Sequence, residues 1–342
     1  MATGLIGGYL SIDILEARLT SSFTSSLLNG FYPNSNPATK ENIEDKDPIR
    51  RVADFKVFSF KIYTDKIFAI NKNTGELMDI DRDNNNNTQV IFKTNNLFDI
   101  FWPKDESYQV LSRQPANSSF FILKNGVSKD IEIGPIRSVS LDDVNNILLF
   151  VKGSDIYSYD INNNQIKEFT KTRLEIETIF SKDKDNIFIK SRGTDGKNNL
   201  HKLSTDGKII KILEREGQTR EEITSNKKYL LVAPYDGDTY GNLELINLES
   251  GWIKKLDLKT SPDKCAWSEL RIICAGPRSE GAGDGFNDIY SIDPKDGKVS
   301  VLLKPEGKYL IKKPEVDTKS KDLFFINDFD SYLYKLEGLM NL

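Results

Sequence analysis

The sequence predicts an all-β chain: a seven-bladed β-propeller of four-stranded antiparallel blades, preceded by an N-terminal helix and a linker. Three observations predict it. Seven stretches share one form, an alternating apolar strand, a turn rich in Asn, Asp or Gly, and a second alternating strand. They recur at intervals close to 44 residues. Helix-period patterns are absent from the repeating part. Period-2 alternation around such turns is a hairpin signature, and short strands at this period are the mark of a propeller blade.

Residues 1–45 fall outside the repeat. Within SIDILEARLTSSFTSSLLNGF, Leu15, Leu19, Phe23 and Leu27 follow one another at a strict spacing of four, with Ile12 and Leu28 beside them. That stripe predicts an amphipathic helix, capped by Ser11 or Asp13 and ended by Asn29-Gly30. Two roles are open to it: packing on the propeller's side, or serving as a stalk or partner helix. FYPNSNPATKENIEDKDP, rich in Pro, Asn and charge, reads as a linker. The opening MATGLIGGYLS has a short apolar run and no basic n-region, so it is not a signal peptide. It reads either as a native terminus or as the end of a membrane tether lying upstream of residue 3.

Residues 46–342 are the expected propeller. The hairpins include DKIFAINKNTGELMDI, SSFFILKNGVSKDIEI, SDIYSYDINNNQIKEF and NDIYSIDPKDGKVSVL. Their aligned apolar positions are Ile67, Phe120, Ile156, Leu200, Leu243, Ile289 and Leu333, at intervals of 53, 36, 44, 43, 46 and 44. The long first interval is assigned to the polar insert DRDNNNNT. Upstream of each hairpin lies a strand, a polar turn and a strongly apolar strand, as in PIRSVSLDDVNNILLFVK. Such apolar runs suit strands buried on both faces. The seventh blade is expected to finish within GLMNL. Residues 45–60 then supply inner strands of the first blade or one strand of the last, and a closing blade shared by both termini removes a sheet edge.

FWPKDESYQVL, AWSELRIICA and DIYSIDPKDGKVSVLL carry a family resemblance. They resemble the TolB-like, WD40-like propeller repeat over roughly residues 50–342. Trp102-Pro103-Lys104-Asp105 and Trp267-Ser268-Glu269 keep part of that family's turn. The resemblance implies a toroid of blades whose activity sits in loops at one face. Propellers host unrelated activities, so it implies no particular chemistry.

Composition narrows the function classes. Hydrophobic residues are 38 % and charged residues 29 %, which fits a soluble globular domain. The formal net charge is −4, from 47 basic and 51 acidic residues that are interleaved, so no nucleic-acid partner is expected. His201 is the one histidine, which excludes a multi-His metal site and disfavours a Ser-His-Asp triad. It sits in NLHKLS and reads as an ordinary strand residue. No run of about 18 apolar residues crosses a bilayer. No phosphate loop, aspartate box or spaced carboxylate pair stands out, and no cofactor or metal is expected. Asp236-x-Asp238 with Asp284, and Asp79-x-Asp81-x-Asp83, offer oxygen ligands but lack the spacing of the strict Ca²⁺ loop.

The two cysteines lie in CAWSELRIIC, read as the first strand, turn and second strand of blade six. If Glu269-Leu270 make the turn, Cys265 faces Cys274. Opposed residues have Cβ atoms about 4.5–5.5 Å apart, near what a disulfide requires. The alternatives are a disulfide, marking an oxidising compartment, and two buried thiols. The first favours the cell envelope, periplasmic or cell-surface; the second, a cytoplasmic interaction propeller.

The loops between second and third strands should share one face. They are long in blades four, five and six: RGTDGKNN at 192–199, PYDGDTYGN at 234–242 and PRSEGAGDGFN at 277–287. The candidate binding residues are Arg192, Asp195, Tyr235, Asp236, Asp238, Tyr240, Arg278, Glu280 and Asp284. Loops on a rigid scaffold concentrate binding residues, and this mixture suits a protein, peptide or glycan ligand. The expected function is a non-enzymatic recognition or scaffold module. The alternative is a carbohydrate-active hydrolase with carboxylates in the central funnel.

Overall fold

The computed structural model describes residues 48–342 except 83–86, 94–96, 98, 104–105, 113–118, 125–126, 143, 184, 224–227, 269, 279–284 and 340–342. The chain divides into Met1–Lys46 and Asp47–Leu342. The expected helix, with Leu15, Leu19, Phe23 and Leu27, lies outside the described residues, as do Glu280 and Asp284.

Seven four-stranded sheets form the propeller. Six are built in simple chain order, each strand pairing antiparallel with the next. The seventh is Ile311–Val316, Leu323–Asn327 and Leu333–Leu336, with Ile49–Arg51 as the outer strand. Both termini thus close one blade. Ile49 pairs with Leu336 and Arg51 with Tyr334, and Val52 N donates to Leu333 O at 2.8 Å. This corrects the expectation for GLMNL. The outer strand comes from the other end of the propeller sequence, while Leu339 turns inward and is 1 % exposed. The first blade begins at Val57–Ile62, so Ile49–Arg51 and Val57–Ile62 serve two different blades.

The alignment of the first repeat is also corrected. Ile67 lies in Lys66–Asn71, the second strand of blade one, whereas Phe120 and its counterparts lie in third strands. The true counterpart is Leu77, in Glu76–Asp81, which is 43 residues before Phe120. The insert DRDNNNNT falls between Glu76–Asp81 and Thr88–Lys93, the third and fourth strands of the same blade, and is not the cause of a longer period. The misreading has a physical origin. The turn after Lys66–Asn71 uses the chemistry of the other turns: Asn71 Oδ1 accepts from Asn73 N at 2.9 Å, and Gly75 has φ +70°.

The second strands explain the apolar runs. Ile147–Lys152 sends Leu148 and Phe150 to the interface of blades two and three, and Leu149 and Val151 to that of blades three and four. All four are at most 1 % exposed. Among the described residues the core is divided into seven clusters, one at each junction between neighbouring blades. Burial on both faces makes each second strand a continuous apolar run rather than an alternating one. Asp and Asn close many turns by accepting from amides two and three residues on. Asp142 holds Val144 N and Asn145 N, both at 3.1 Å, and Asp317 holds Lys319 N at 2.9 Å.

Candidate functional site

The long loops emerge where the sequence places them, between Arg192 and Asn198, Tyr235 and Asn242, and Pro277 and Asn287. They leave corresponding ends of successive blades. Most of their candidate residues are engaged with their own loop. In blade five, Asp236 accepts from Asp238 N at 3.1 Å, Thr239 N at 2.8 Å and Thr239 Oγ1 at 3.0 Å. Those donors hold its carboxyl below the ordinary range. Tyr235 and Tyr240 stack with centroids 4.8 Å apart, and the Tyr235 hydroxyl donates to Gly237 O. Arg220 lies over Tyr235 at 5.5 Å. Both Asp236 oxygens are committed to the turn.

Arg278, in blade six, donates to Pro305 O at 3.1 Å and to Gly307 O, and lies over Phe286 at 5.5 Å. It straps its loop to the connection between blades six and seven. Asn287 extends that strap by accepting from Ile311 N at 2.8 Å.

In blade four, Arg192 and Asp195 border a groove of about 890 Å³ beside the connection from blade three. Its floor holds Ser191 and His201, with Ser191 Oγ 2.9 Å from His201 Nε2. Burial depresses the His201 pKa first, and Lys211 adds to that. Glu214 takes Lys211 at 2.6 Å and Lys197 at 2.9 Å, which draw its pKa down to about 2. Gly193 leaves room for the loop's side chains: a Cβ would stand 2.6 Å from Asp195 Oδ1 and 2.9 Å from Asn199 Nδ2, so both side chains would have to shift.

The first strands of all seven blades enclose an axial cavity of about 980 Å³. It is lined mainly by the ends of these strands and the turns that follow, including Tyr63, Trp102 and Thr318. It therefore opens opposite the long loops. Lys61 of blade one pairs with Glu315 of blade seven, and Ile62 N donates to the same carboxylate at 3.3 Å. Asp317 pairs with Arg82. A bulge at Lys312–Glu315, with Lys313 at φ +48° ahead of Pro314, carries Glu315 into this position. Sequence reasoning does not find these residues: Lys61 and Glu315 are 254 positions apart, and neither belongs to a motif.

Cys265 pairs in register with Cys274, Ala266 with Ile273 and Trp267 with Ile272. Ser268 N donates to Arg271 O at 2.8 Å, closing the turn. The two sulfurs are joined as a disulfide. Cys265 lines the axial cavity, whereas Cys274 is fully buried between blades five and six.

No protein-family model matches the chain, and no curated protein matches it in sequence. Solved structures share its fold at low identity. An oligogalacturonate lyase from Vibrio parahaemolyticus superposes with a TM-score of 0.61 at 11 % identity, over 84 % of this chain and 93 % of that one. An oligogalacturonate lyase in complex with manganese gives 0.59 at 10 %, over 84 % and 92 %. The extracellular domain of a hybrid two-component system from B. thetaiotaomicron gives 0.57 at 12 %. That match spans 85 % of this chain but 39 % of the other. These likenesses establish a seven-bladed propeller and nothing finer. Among the described residues no three His, Cys, Asp or Glu side chains gather to hold a metal. Of the carboxylates that line the axial cavity, Glu315 pairs with Lys61 and Asp317 with Arg82.

Proposed function

We propose that this chain is a divergent TolB-like propeller of the cell envelope, acting as a non-enzymatic recognition or scaffold module. Its ligand, a protein, peptide or glycan, docks on the face bearing the long loops of blades four to six. The observation that carries this reading is the internal order of the blade-five loop, where the Asp236 turn and the Tyr235–Tyr240 stack preform a partly exposed aromatic surface. A preformed loop binds without a large ordering cost. The paired channel carboxylates weigh against the hydrolase, which needs two carboxyl groups free for acid and nucleophile roles. The disulfide supports an extracytoplasmic setting.

The test sets binding against turnover. Glycan and peptide arrays are probed with the wild type, Tyr235→Ala and Asp236→Ala, and oligogalacturonate is incubated with the protein while the ultraviolet absorbance of an unsaturated product is followed. Array binding that weakens in both variants, without product, supports the module. Catalytic product formation, or array binding indifferent to both substitutions, overturns it.

A further inference from the structure

The groove on blade four is polar, roomy and incompletely neutralised. Its walls come from the connection Thr172–Glu175, the end of Asn186–Arg192 with its loop, and the outer strand Ile209–Arg215. Its carboxylates are unequal in status. Glu214 is held by Lys211 and Lys197, and Asp195 by Lys197 at 3.5 Å. Glu175 faces Arg192 across the strand pair yet forms no ion pair with it. Arg173 and Arg192 are both exposed, line the groove from different elements, and their guanidinium groups have no hydrogen-bond or ion-pair partner among the described residues. Two guanidinium groups are therefore left against one free carboxylate.

The floor adds groups suited to hydroxyls. Ser191 is 1 % exposed and His201 8 %, and their mutual hydrogen bond leaves the other ring nitrogen and the hydroxyl's remaining capacity for a neighbour. Asn199 Oδ1 is buried with no donor, and a buried acceptor of this kind calls for one. Leu174 and Ile209 supply only a small apolar rim. Arginine's fork matches a carboxylate or phosphate through two parallel bonds, which an exposed lysine does not reproduce.

From these features we infer that the groove between the Thr172–Glu175 connection and blade four is a binding site for an anionic monosaccharide, with Arg173 and Arg192 on the acid group and the Ser191, Asn199 and His201 floor on the ring hydroxyls. A sugar acid and a sugar phosphate present the same chemistry, and the experiment separates them. This inference rests on the proposal that the long-loop face recognises ligands, and narrows it to one end of that face.

His201 is the chain's single histidine, so its imidazole resonances are a unique reporter inside the groove. The wild-type protein is titrated with glucuronate, glucose 6-phosphate and glucose to about 10 mM, a range that reveals millimolar affinity. Saturable movement of the His201 signals with one or both anions, and none with glucose, is expected. Arg192→Ala and Arg173→Ala should each weaken the effective anion at least about tenfold, the order expected for a lost charge-assisted bond. Arg192→Lys should recover only part of it. Both arginines are exposed and unpaired, and matching melting temperatures verify that the variants fold. Equal response to glucose, no response to any probe, or a response unchanged in both alanine variants would overturn the site. If array ligands still bind through Tyr235 while the anions fail, the recognition face stands and the groove assignment alone falls.

Discussion

Ser191 Oγ lies 2.9 Å from His201 Nε2, with the two residues 1 % and 8 % exposed. Burial and Lys211 together disfavour the imidazolium. Because the folded pKa lies below the unfolded value of 6.5, the unfolded chain binds the proton more readily. Stability contributed by neutral His201 is therefore intact above about 6.5 and is lost as pH falls from there towards the folded pKa. The melting temperature of the wild type should fall through this window. His201→Gln, which keeps a polar group but cannot titrate, should show a shallower slope. Parallel slopes would mean that His201 is not held neutral.

The disulfide joins neighbouring strands across a sequence separation of 9. A loop this short constrains the unfolded chain by roughly 2–3 kcal/mol at most. Replacing both cysteines with serine should lower stability by no more than that, leaving the fold intact. Thiol titration of unreduced protein in denaturant should find no free thiol, and two after reduction. Two reactive thiols before reduction would remove the argument for an oxidising compartment.

Closure of the propeller depends on three residues far from the rest of their blade. Ile49 is 7 % exposed and packs in the cluster shared by blades six and seven. Ile49→Asp places a charge in that cluster and should cost roughly 3 kcal/mol or more. Arg50→Ala, on the exposed side, removes the 2.6 Å contact with Glu337 and should cost under about 1 kcal/mol. Chemical denaturation compares the two, and equal losses would contradict the register of the closing strand.

Lys61 and Glu315 link the first blade to the last, its neighbour in the ring, at the wall of the axial cavity. Their side chains are 31 % and 24 % exposed, so the pair is partly solvated. Lys61→Met should destabilise by about 1–2 kcal/mol, less than for a fully buried pair, because Glu315 is left without its cation. Adding Glu315→Gln should recover part of that loss in a double-mutant cycle. A strictly additive cycle would show that the two side chains do not interact.

Sequence alone was sufficient for the repeat architecture and for most of its placement. Alternation, Asp and Asn turns, and apolar second strands are local consequences of a blade that pairs within itself and packs on both faces. The register of CAWSELRIIC follows from the same locality, since an even turn leaves Cys265 facing Cys274. The long loops were legible as gaps between strands. Locality also explains the error at Ile67, because a second-to-third-strand turn built on Asn71 and Gly75 looks like any other hairpin turn. Only the tertiary structure decided what depends on bringing distant blades together. It assigned Ile49–Arg51 to the last blade, set Lys61 against Glu315, and left Arg173 and Arg192 beside the Ser191–His201 floor. The physical reason is the toroid itself: strand pairing is written into neighbouring residues, but the contents of the axis, the closing blade and the grooves between blades are fixed by how seven sheets meet.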